Sequence, residues 1–359
     1  MESRKQVRLE NEHVGLTLLP GGGHIAGLTL KSNGVNPLWT PPWPSIEPSS
    51  FDPAKHTGYG TGAEQRLLAG IAGHNLCFDF FGPPSEAEAA AGLSVHGEAS
   101  VVDWRITPAE RALRAVADLP QARMRVTREL KLGARAYAVT VTETAENLMD
   151  IDRAAGWTQH ATLGPPFVVP GKTIFHMPAT HSKVFAGDFA GDKERFVRGA
   201  EFVWPMAPLA GGGFGDMRPA AGETASGAFT AHLMDPSVEQ AFFTAFNPNM
   251  KTVFGYVWKR GDFPWLGIWE ENYSRTAPPW NGKTLTRGME FGVSPIPETR
   301  RAMVDRGELF GERCYRWIAA RSKVTVEYCL FIAPAESEVT SVAWRDGAIR
   351  CNGEWEIPV

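Results

Sequence analysis

The feature that most constrains this chain is the repetition of short segments in which apolar and polar residues alternate. In one of them Tyr137, Val139 and Val141 take one parity, while Thr140 and Thr142 take the other. Such alternation is typical of half-buried strands in an antiparallel sheet. About twenty short segments follow one another at spacings of about 8 to 12 residues, as in large β-sandwiches. The pattern predicts an all-β fold, a large antiparallel β-sandwich with very little helix, forming a single domain over residues 1–359.

Turn residues support this prediction. The chain has 37 glycines and 27 prolines, which favour many turns over long helices. Near the start, a Pro-Gly-Gly-Gly break at residues 20–23 separates two apolar segments and predicts a β-hairpin. No helical pattern and no Lys-Ser/Thr follow these glycines, so a phosphate-binding loop is disfavoured. One short helix is expected, because Ser85 and Glu88 form a capping box and Gly92 is a suitable stop.

Composition excludes several classes of function. The formal net charge is −4 and no block of like charges occurs, so nucleic acid is not expected as a partner. The four cysteines are scattered without Cys-x-x-Cys spacing, which argues against a zinc knuckle or a disulfide framework and favours a reducing compartment. The charged start is followed by no apolar run, so neither a signal peptide nor a membrane-spanning helix is expected. We therefore expect a cytoplasmic protein that does not bind membranes.

One acid stands out because it lies among apolar neighbours just before a proline-rich stop. In a strand, Glu290 points to the face opposite Met289 and Phe291. If those two residues pack into the core, Glu290 faces either solvent or a polar cleft. The first alternative would make it an ordinary solvated strand residue.

Three of the nine histidines, His74, His96 and His160, lie in strand or turn contexts bounded by Gly or Pro. Each of them is also compatible with a purely structural role, and the apolar residues around His74 and Asp79 are compatible with simple core packing. Together with acids and tryptophans, however, these histidines provide donors, acceptors and flat apolar faces, which suit a sugar. The pair Trp269-Glu270 at a strand end favours a pocket over a plain loop, and Trp39 and Trp43 are further candidate stacking surfaces.

Six short motifs follow one another along the chain: Pro-Gly-Gly-Gly-His at 20–24, Val-His-Gly at 95–97, the histidine at 160, Trp-Glu at 269–270, Gly-Met-Glu-Phe-Gly at 288–292 and Tyr-x-Trp at 315–317. In this order they resemble the aldose 1-epimerase (galactose mutarotase-like) superfamily over nearly the whole chain. The resemblance implies the very large sandwich called a supersandwich. This chain departs from the usual family pattern at two places. One is upstream of the first histidine, where Arg66 is the nearest arginine, and the other is after His160, where Ala-Thr-Leu-Gly follows. No residue matches the family's aspartate convincingly, which indicates a divergent branch.

The resemblance also implies roles for individual residues. Glu290 matches the catalytic base, His160 the catalytic acid and His96 a substrate-binding histidine. Further substrate-binding candidates around them complete the predicted site: His74, Asp79, Arg66, Trp269 and Glu270. To remain protonated at pH 7, His160 would need a nearby carboxylate, for which Glu270 is a candidate.

The implied activity is the cofactor-independent interconversion of anomers at C1 of an aldose or a modified sugar. Two alternatives remain at this point. One is a carbohydrate-binding protein of the same fold that lacks the activity. The other is a carbohydrate-cleaving enzyme that uses Glu270 and Glu290 as paired carboxylates. The pattern predicts a carbohydrate partner, but neither a particular sugar, phosphorylated or not, nor an oligomeric state.

Overall fold

The computed structural model describes residues 4–359 and shows the all-β fold that the alternating pattern predicts. The pattern acts as expected: the strand Ala138–Asn147 alternates between buried and half-buried positions along most of its length. In the first half of the chain the strands are β1 (Val7–Glu10), β2 (Val14–Leu19), β3 (His24–Leu30), β4 (His74–Asp79), β5 (Arg105–Ala109), β6 (Ala112–Leu119), β7 (Met124–Leu132), β8 (Ala138–Asn147), β9 (Arg153–Leu163), β10 (Ile174–His176) and β11 (Ala179–Val184).

The second half continues with short strands in an excursion and then with long ones. These strands are β12 (Glu201–Val203), β13 (Met206–Pro208), β14 (Phe214–Asp216), β15 (Ser226–Met234), β16 (Gln240–Asn247), β17 (Thr252–Lys259), β18 (Trp265–Asn272), β19 (Leu285–Gly292), β20 (Glu308–Leu309), β21 (Glu312–Arg313), β22 (Arg316–Ile318), β23 (Lys323–Pro334), β24 (Val342–Arg345), β25 (Ala348–Cys351) and β26 (Trp355–Pro358).

Two large antiparallel sheets form the sandwich. The larger one runs β1-β2-β3-β4-β9-β19-β18-β15-β11-β12, and β22 pairs with the start of β9. The smaller one runs β10-β16-β17-β23-β8-β7-β6-β5. The predicted hairpin of β2 and β3 is present. A three-stranded sheet, β24 to β26, covers part of the smaller sheet through a second apolar cluster.

Helix is scarce in the described part of the chain. The helices are α1 (Gln65–Gly70), α2 (Glu86–Ala90) and α3 (Arg300–Arg306), with 3-10 turns at Pro48–Ser50, Gly62–Glu64 and Gly191–Lys193. The predicted capping box is confirmed in α2, because Ser85 accepts from the Glu88 backbone and Glu88 accepts from the Ser85 backbone. No helix among residues 4–359 is long and apolar enough to cross a bilayer.

The core lies between the two large sheets. Leu76, Trp157 and Phe291 of the larger sheet share one apolar cluster with Leu130 and Tyr328 of the smaller sheet. This common core fits the single-domain prediction over residues 1–359, which stays a prediction.

An ion pair is embedded in that core. The guanidinium group of Arg128 contacts the carboxylate of Glu143 at 2.6 Å, and neither side chain is exposed. The same carboxylate accepts hydrogen bonds from Trp157 Nε1 and Gln159 Nε2, both at 2.6 Å. These bonds satisfy the buried charges, as burial requires.

The centre of the larger sheet positions the candidate site. In the pairing of β9 with β19, His160 lies opposite Glu290. In the pairing of β18 with β19, Glu290 lies opposite Gly267. Met289 and Phe291 point into the core, so Glu290 projects from the outer face of this sheet, which is the face turned away from the smaller sheet. A pocket lies over this outer face.

Candidate active site

A pocket of about 320 Å³ lies over the outer face of the larger sheet. Its floor comes from β9 and β19, and its walls come from α1, the loops around α2 and the loops that follow β11 and β18. The structure brings four of the predicted site residues to this pocket, namely His96, His160, Trp269 and Glu290. The converging histidines and carboxylate make it the candidate active site.

Glu290 provides the carboxylate on the floor. Its side chain is only 2% exposed, and Oε1 lies 3.0 Å from His160 Nε2. Oε1 is nevertheless without a well-directed hydrogen bond among the described residues. Space for this carboxylate exists because residue 288 is glycine, since a Cβ atom there would lie 2.5 Å from Oε1. A buried acceptor is therefore free to bind a hydroxyl group that enters the pocket.

His160 lies between two polar partners. Nδ1 is 3.0 Å from Thr162 Oγ1, while Nε2 faces Glu290. Thr162 lies two residues further along the same strand, so its side chain is on the same face of the sheet. A neutral ring with its proton on Nε2 accepts from the Thr162 hydroxyl at Nδ1 and has its N–H on the side of Glu290. Both ring nitrogens of His160 therefore lie beside polar side chains.

His96 reaches the same floor from a left-handed turn. Its φ of 66° is followed by φ of 81° at Gly97, where a Cβ atom would lie 2.1 Å from the Phe78 carbonyl oxygen. The backbone N–H of Gly82 donates to His96 Nδ1 at 3.0 Å. The ring stacks on Phe81 with 5.3 Å between centroids. This turn explains the sequence His-Gly at 96–97, and strained turns of this kind occur at functional sites.

The protonation state of His96 follows from its surroundings. Burial, and to a smaller extent the neighbouring His160, hold the pKa of His96 well below its usual range. The ring is therefore neutral at pH 7. Because Nδ1 accepts from the Gly82 backbone, the ring proton resides on Nε2. The rings of His96 and His160 are 5.5 Å apart, so this N–H can bind a ligand on the same floor.

An aromatic wall stands beside these groups. Trp269 lies with its ring 5.7 Å from that of His160, and Trp280 lies 6.0 Å from Trp269. Trp39 and Trp43, predicted as stacking surfaces, are buried behind this wall and pack against Trp280. Their effect on a ligand is therefore indirect, through the position of Trp280.

Arg275 is a pocket residue that the sequence did not reveal. Its guanidinium group lies over the rings of Trp280, Phe189 and Trp269 at 4.8, 5.4 and 5.8 Å. Glu271 holds it in place, because its carboxylate accepts from the backbone N–H of Arg275 at 2.9 Å and lies 3.4 Å from Arg275 Nε. Arg275 and Trp280 belong to an irregular loop, in which no periodic sequence pattern indicates where a side chain points.

Two predicted ligand-binding residues lie away from the pocket. His74 is completely buried between the sheets, where its ring bonds with the Tyr256 hydroxyl and Gln159 Oε1, both at 2.9 Å. Asp79 is 1% exposed and is neutralised by two arginines, Arg300 and Arg153. Both residues have their hydrogen-bonding capacity used within the protein, and neither lines the pocket.

Two more predicted substrate-binding residues, Arg66 and Glu270, also lie outside the pocket. Arg66 is exposed on α1, while its neighbours Leu67 and Leu68 line the pocket. Glu270 projects from the face opposite Trp269, because adjacent strand residues point in opposite directions. There Arg195 donates to its Oε1 at 2.7 Å.

Glu270 consequently does not act on His160. Burial alone would raise the pKa of Glu270, but Arg195 and Arg287 hold it below its usual value. The carboxylate next to His160 is Glu290 itself. Because Trp269 and Glu270 are adjacent in one strand, the period-two rule indicates that only one of the two side chains can face the pocket.

The described residues contain neither a candidate metal-binding cluster nor a disulfide bond. Within residues 4–359 no group of three or more His, Cys, Asp or Glu side chains could hold a metal ion. The four cysteines, Cys77, Cys314, Cys329 and Cys351, are all free and buried.

Comparison with known proteins identifies the fold. No family model matches the sequence, and no curated protein matches it significantly. Among solved structures, a provisionally named aldose 1-epimerase from Klebsiella pneumoniae matches with a TM-score of 0.65 and 13% identity, covering 90% of this chain and 77% of the other. A galactose mutarotase-like protein from Lactobacillus casei matches with a TM-score of 0.59 and 13% identity, covering 92% and 100%.

A third similar structure is the galactose mutarotase related enzyme from Lactobacillus acidophilus. It matches with a TM-score of 0.59 and 10% identity, covering 93% of this chain and 99% of the other. At such identities the likeness concerns the fold. The predicted β-sandwich is thus confirmed, and its fold is the one that these aldose 1-epimerase and galactose mutarotase-like structures share.

Proposed function

We propose that this protein is a cofactor-independent epimerase that interconverts the anomers of an aldose or a modified sugar at C1. One observation supports this most: His96, His160 and Glu290 come from separate segments and meet on the floor of one pocket. Ring opening at an anomeric carbon needs a base for one oxygen and an acid for a second oxygen bonded to the same carbon. An adjacent carboxylate and imidazole match that requirement.

The proposed reaction moves two protons. The Glu290 carboxylate removes the proton of the C1 hydroxyl, while protonated His160 donates its proton to the ring oxygen. The bond between C1 and the ring oxygen breaks, and its electron pair stays on that oxygen, so that an open-chain aldehyde forms. Rotation about the C1–C2 bond presents the other face of the aldehyde. Ring closure then returns one proton to His160 and the other from Glu290 to the new hydroxyl.

The remaining groups would position the sugar. His96 is neutral and offers its Nε2–H as a donor beside His160, so it would bind a sugar oxygen without competing for the transferred protons. Trp269 would pack against the C–H face of the ring. Each positioned acid or base contributes about 10²- to 10⁴-fold to such a rate.

The principal alternative is a carbohydrate-binding protein of the same fold without activity. Its supporting observation is that Glu290 and His160 already contact each other, so a ligand could bind above the pair and leave both protons in place. The cleaving alternative loses its premise, because Glu270 lies on the other face of the sheet and cannot flank a bond together with Glu290.

Nuclear magnetic resonance exchange between the two anomeric signals decides between the two functions. Added to a panel of aldoses, an epimerase accelerates exchange in proportion to its concentration. A binding protein shows calorimetric binding to one of those sugars and leaves exchange at the spontaneous rate. Acceleration without dependence on protein concentration would contradict the proposal.

A further inference from the structure

The pocket has its polar groups at its two ends. Five of its eighteen lining residues carry an ionisable side chain. Three of them, His96, His160 and Glu290, form the floor. The other two, Glu64 and Arg275, also line a neighbouring open groove of about 640 Å³ and so lie at the rim. The stretch between floor and rim is formed by residues without an ionisable side chain.

That middle stretch is apolar. Its wall is built from aromatic and aliphatic side chains of one hydrophobic cluster, including Leu67, Leu68, Phe81, Phe185, Phe229 and Trp269. Leucine and phenylalanine side chains have no hydrogen-bonding atom, and the indole N–H of Trp269 is the one polar side-chain group among these six residues. Two nearby carbonyl groups are engaged within the protein, because Ile71 N donates to the Leu67 oxygen and Trp43 Nε1 donates to the Leu68 oxygen.

The rim does not supply the missing partners for a ligand in the middle. Arg275 is fixed over Trp280 and beside Glu271. Burial raises the pKa of Glu64 above its usual value, while Arg275 acts in the opposite direction. Both side chains also line the groove, so they lie at the end of the pocket that faces it.

A fully hydroxylated hexose has hydroxyl groups around its whole ring. Those that face an apolar wall would lose water without gaining a partner, which is unfavourable. Resting on the proposed function, we infer that the sugar is deoxygenated or alkylated at positions away from C1. Its polar edge, C1 and the ring oxygen, meets the floor, and its apolar body fills the middle of the pocket.

The test compares three sugars on the wild-type protein: glucose, glucose without its C6 hydroxyl, and glucose methylated at every hydroxyl except the anomeric one. Affinity is measured by calorimetry and anomeric exchange by nuclear magnetic resonance. The deoxy sugar removes a hydroxyl without adding bulk. We expect affinity and kcat/KM to rise from glucose to the less polar sugars, by about tenfold or more for the preferred one.

A variant pair tests whether the wall causes the preference. Phe185→Tyr adds one hydroxyl to the wall with little change in shape, so it should reduce the preference for the less polar sugars. Phe214→Tyr makes the same change at an exposed position outside the pocket and should leave the preference as it was.

The outcomes separate the inference from the function on which it rests. Tighter binding of a less polar sugar without faster exchange supports the inference about the pocket and removes the proposed catalysis. Glucose bound or turned over as well as the less polar sugars, or no binding of any of the three, overturns the inference. If glucose is bound or turned over as well as the less polar sugars, accelerated glucose exchange would still support the proposed epimerase function.

Discussion

Glu290 lies directly opposite His160 across the pairing of β19 with β9, and its Oε1 is 3.0 Å from His160 Nε2. This contact joins two residues 130 positions apart in the chain, because the register of two central strands aligns them. The proposed acid and base are therefore fixed by backbone pairing and not by flexible loops. Sites built on strands are held more precisely than sites on loops.

Replacing Gly288 by alanine tests whether the position of the Glu290 carboxylate matters. The added Cβ atom would lie 2.5 Å from Glu290 Oε1, the end of a flexible side chain that can move aside. We expect a folded protein whose kcat/KM for anomer exchange falls by about a hundredfold, since displacements of about 1 Å have such effects.

Gly261→Ala is the matched control, because a Cβ atom there meets no atom within 4 Å. It should keep full activity. If Gly288→Ala were equally active with an unchanged thermal midpoint, the carboxylate position would not limit the reaction.

Arg275→Ala tests the rim of the pocket. The guanidinium group contacts three aromatic rings and does not touch the proposed acid or base. Its loss should weaken binding of substrate and transition state alike, raising KM by about fivefold at nearly constant kcat. Arg198→Ala removes a partly exposed arginine that pairs with Asp188 and Glu194, and should change neither constant. A large fall in kcat for Arg275→Ala would assign it a role in the reaction itself.

Three completely buried histidines, together with the half-buried His96, predict how stability depends on pH. Burial is the first cause that lowers the pKa in each of them: His24, to about 3, and His74, His96 and His232, well below the usual value. Below about pH 6.5 the unfolded chain binds protons that the folded chain does not, so stability falls as pH decreases.

Each such histidine contributes up to about 1.4 kcal/mol per pH unit below that range. Urea unfolding at pH 7.5 and pH 5.5 should therefore give a markedly lower free energy of unfolding at pH 5.5. Equal values, or a higher value at pH 5.5, would show that these histidines take up protons in the folded state.

Arg128→Met tests the buried ion pair of the core. The substitution leaves the Glu143 carboxylate without its counter-ion at a site with no exposure. We expect the free energy of unfolding to drop by about 3 to 5 kcal/mol. Asp150→Asn breaks an exposed pair with Arg321 and should leave the urea midpoint almost unchanged. Similar midpoints for the two variants would contradict the importance of burial.

The sequence predicted the parts of the site that obey local rules. The alternation of side chains placed Glu290 on the face of the strand opposite to that of Met289 and Phe291. The His-Gly turn singled out His96. The alternation of side chains also indicates that only one of Trp269 and Glu270 can face the pocket. The remaining features depend on long-range register or on loops. His74 looked equivalent to His160 in sequence, and only the pairing of the strands shows that it faces the core.

Glu290→Gln tests the proposed chemistry most directly. The amide keeps the size of the side chain but cannot accept the proton of the C1 hydroxyl. With a sugar that the wild type binds, we predict that enzyme-dependent anomer exchange falls by about 10²- to 10⁴-fold, while calorimetric affinity stays within a few-fold. Glu327→Gln, an exposed change on β23, should exchange anomers at the wild-type rate. Exchange by Glu290→Gln at the wild-type rate would contradict the assignment of Glu290 as the base.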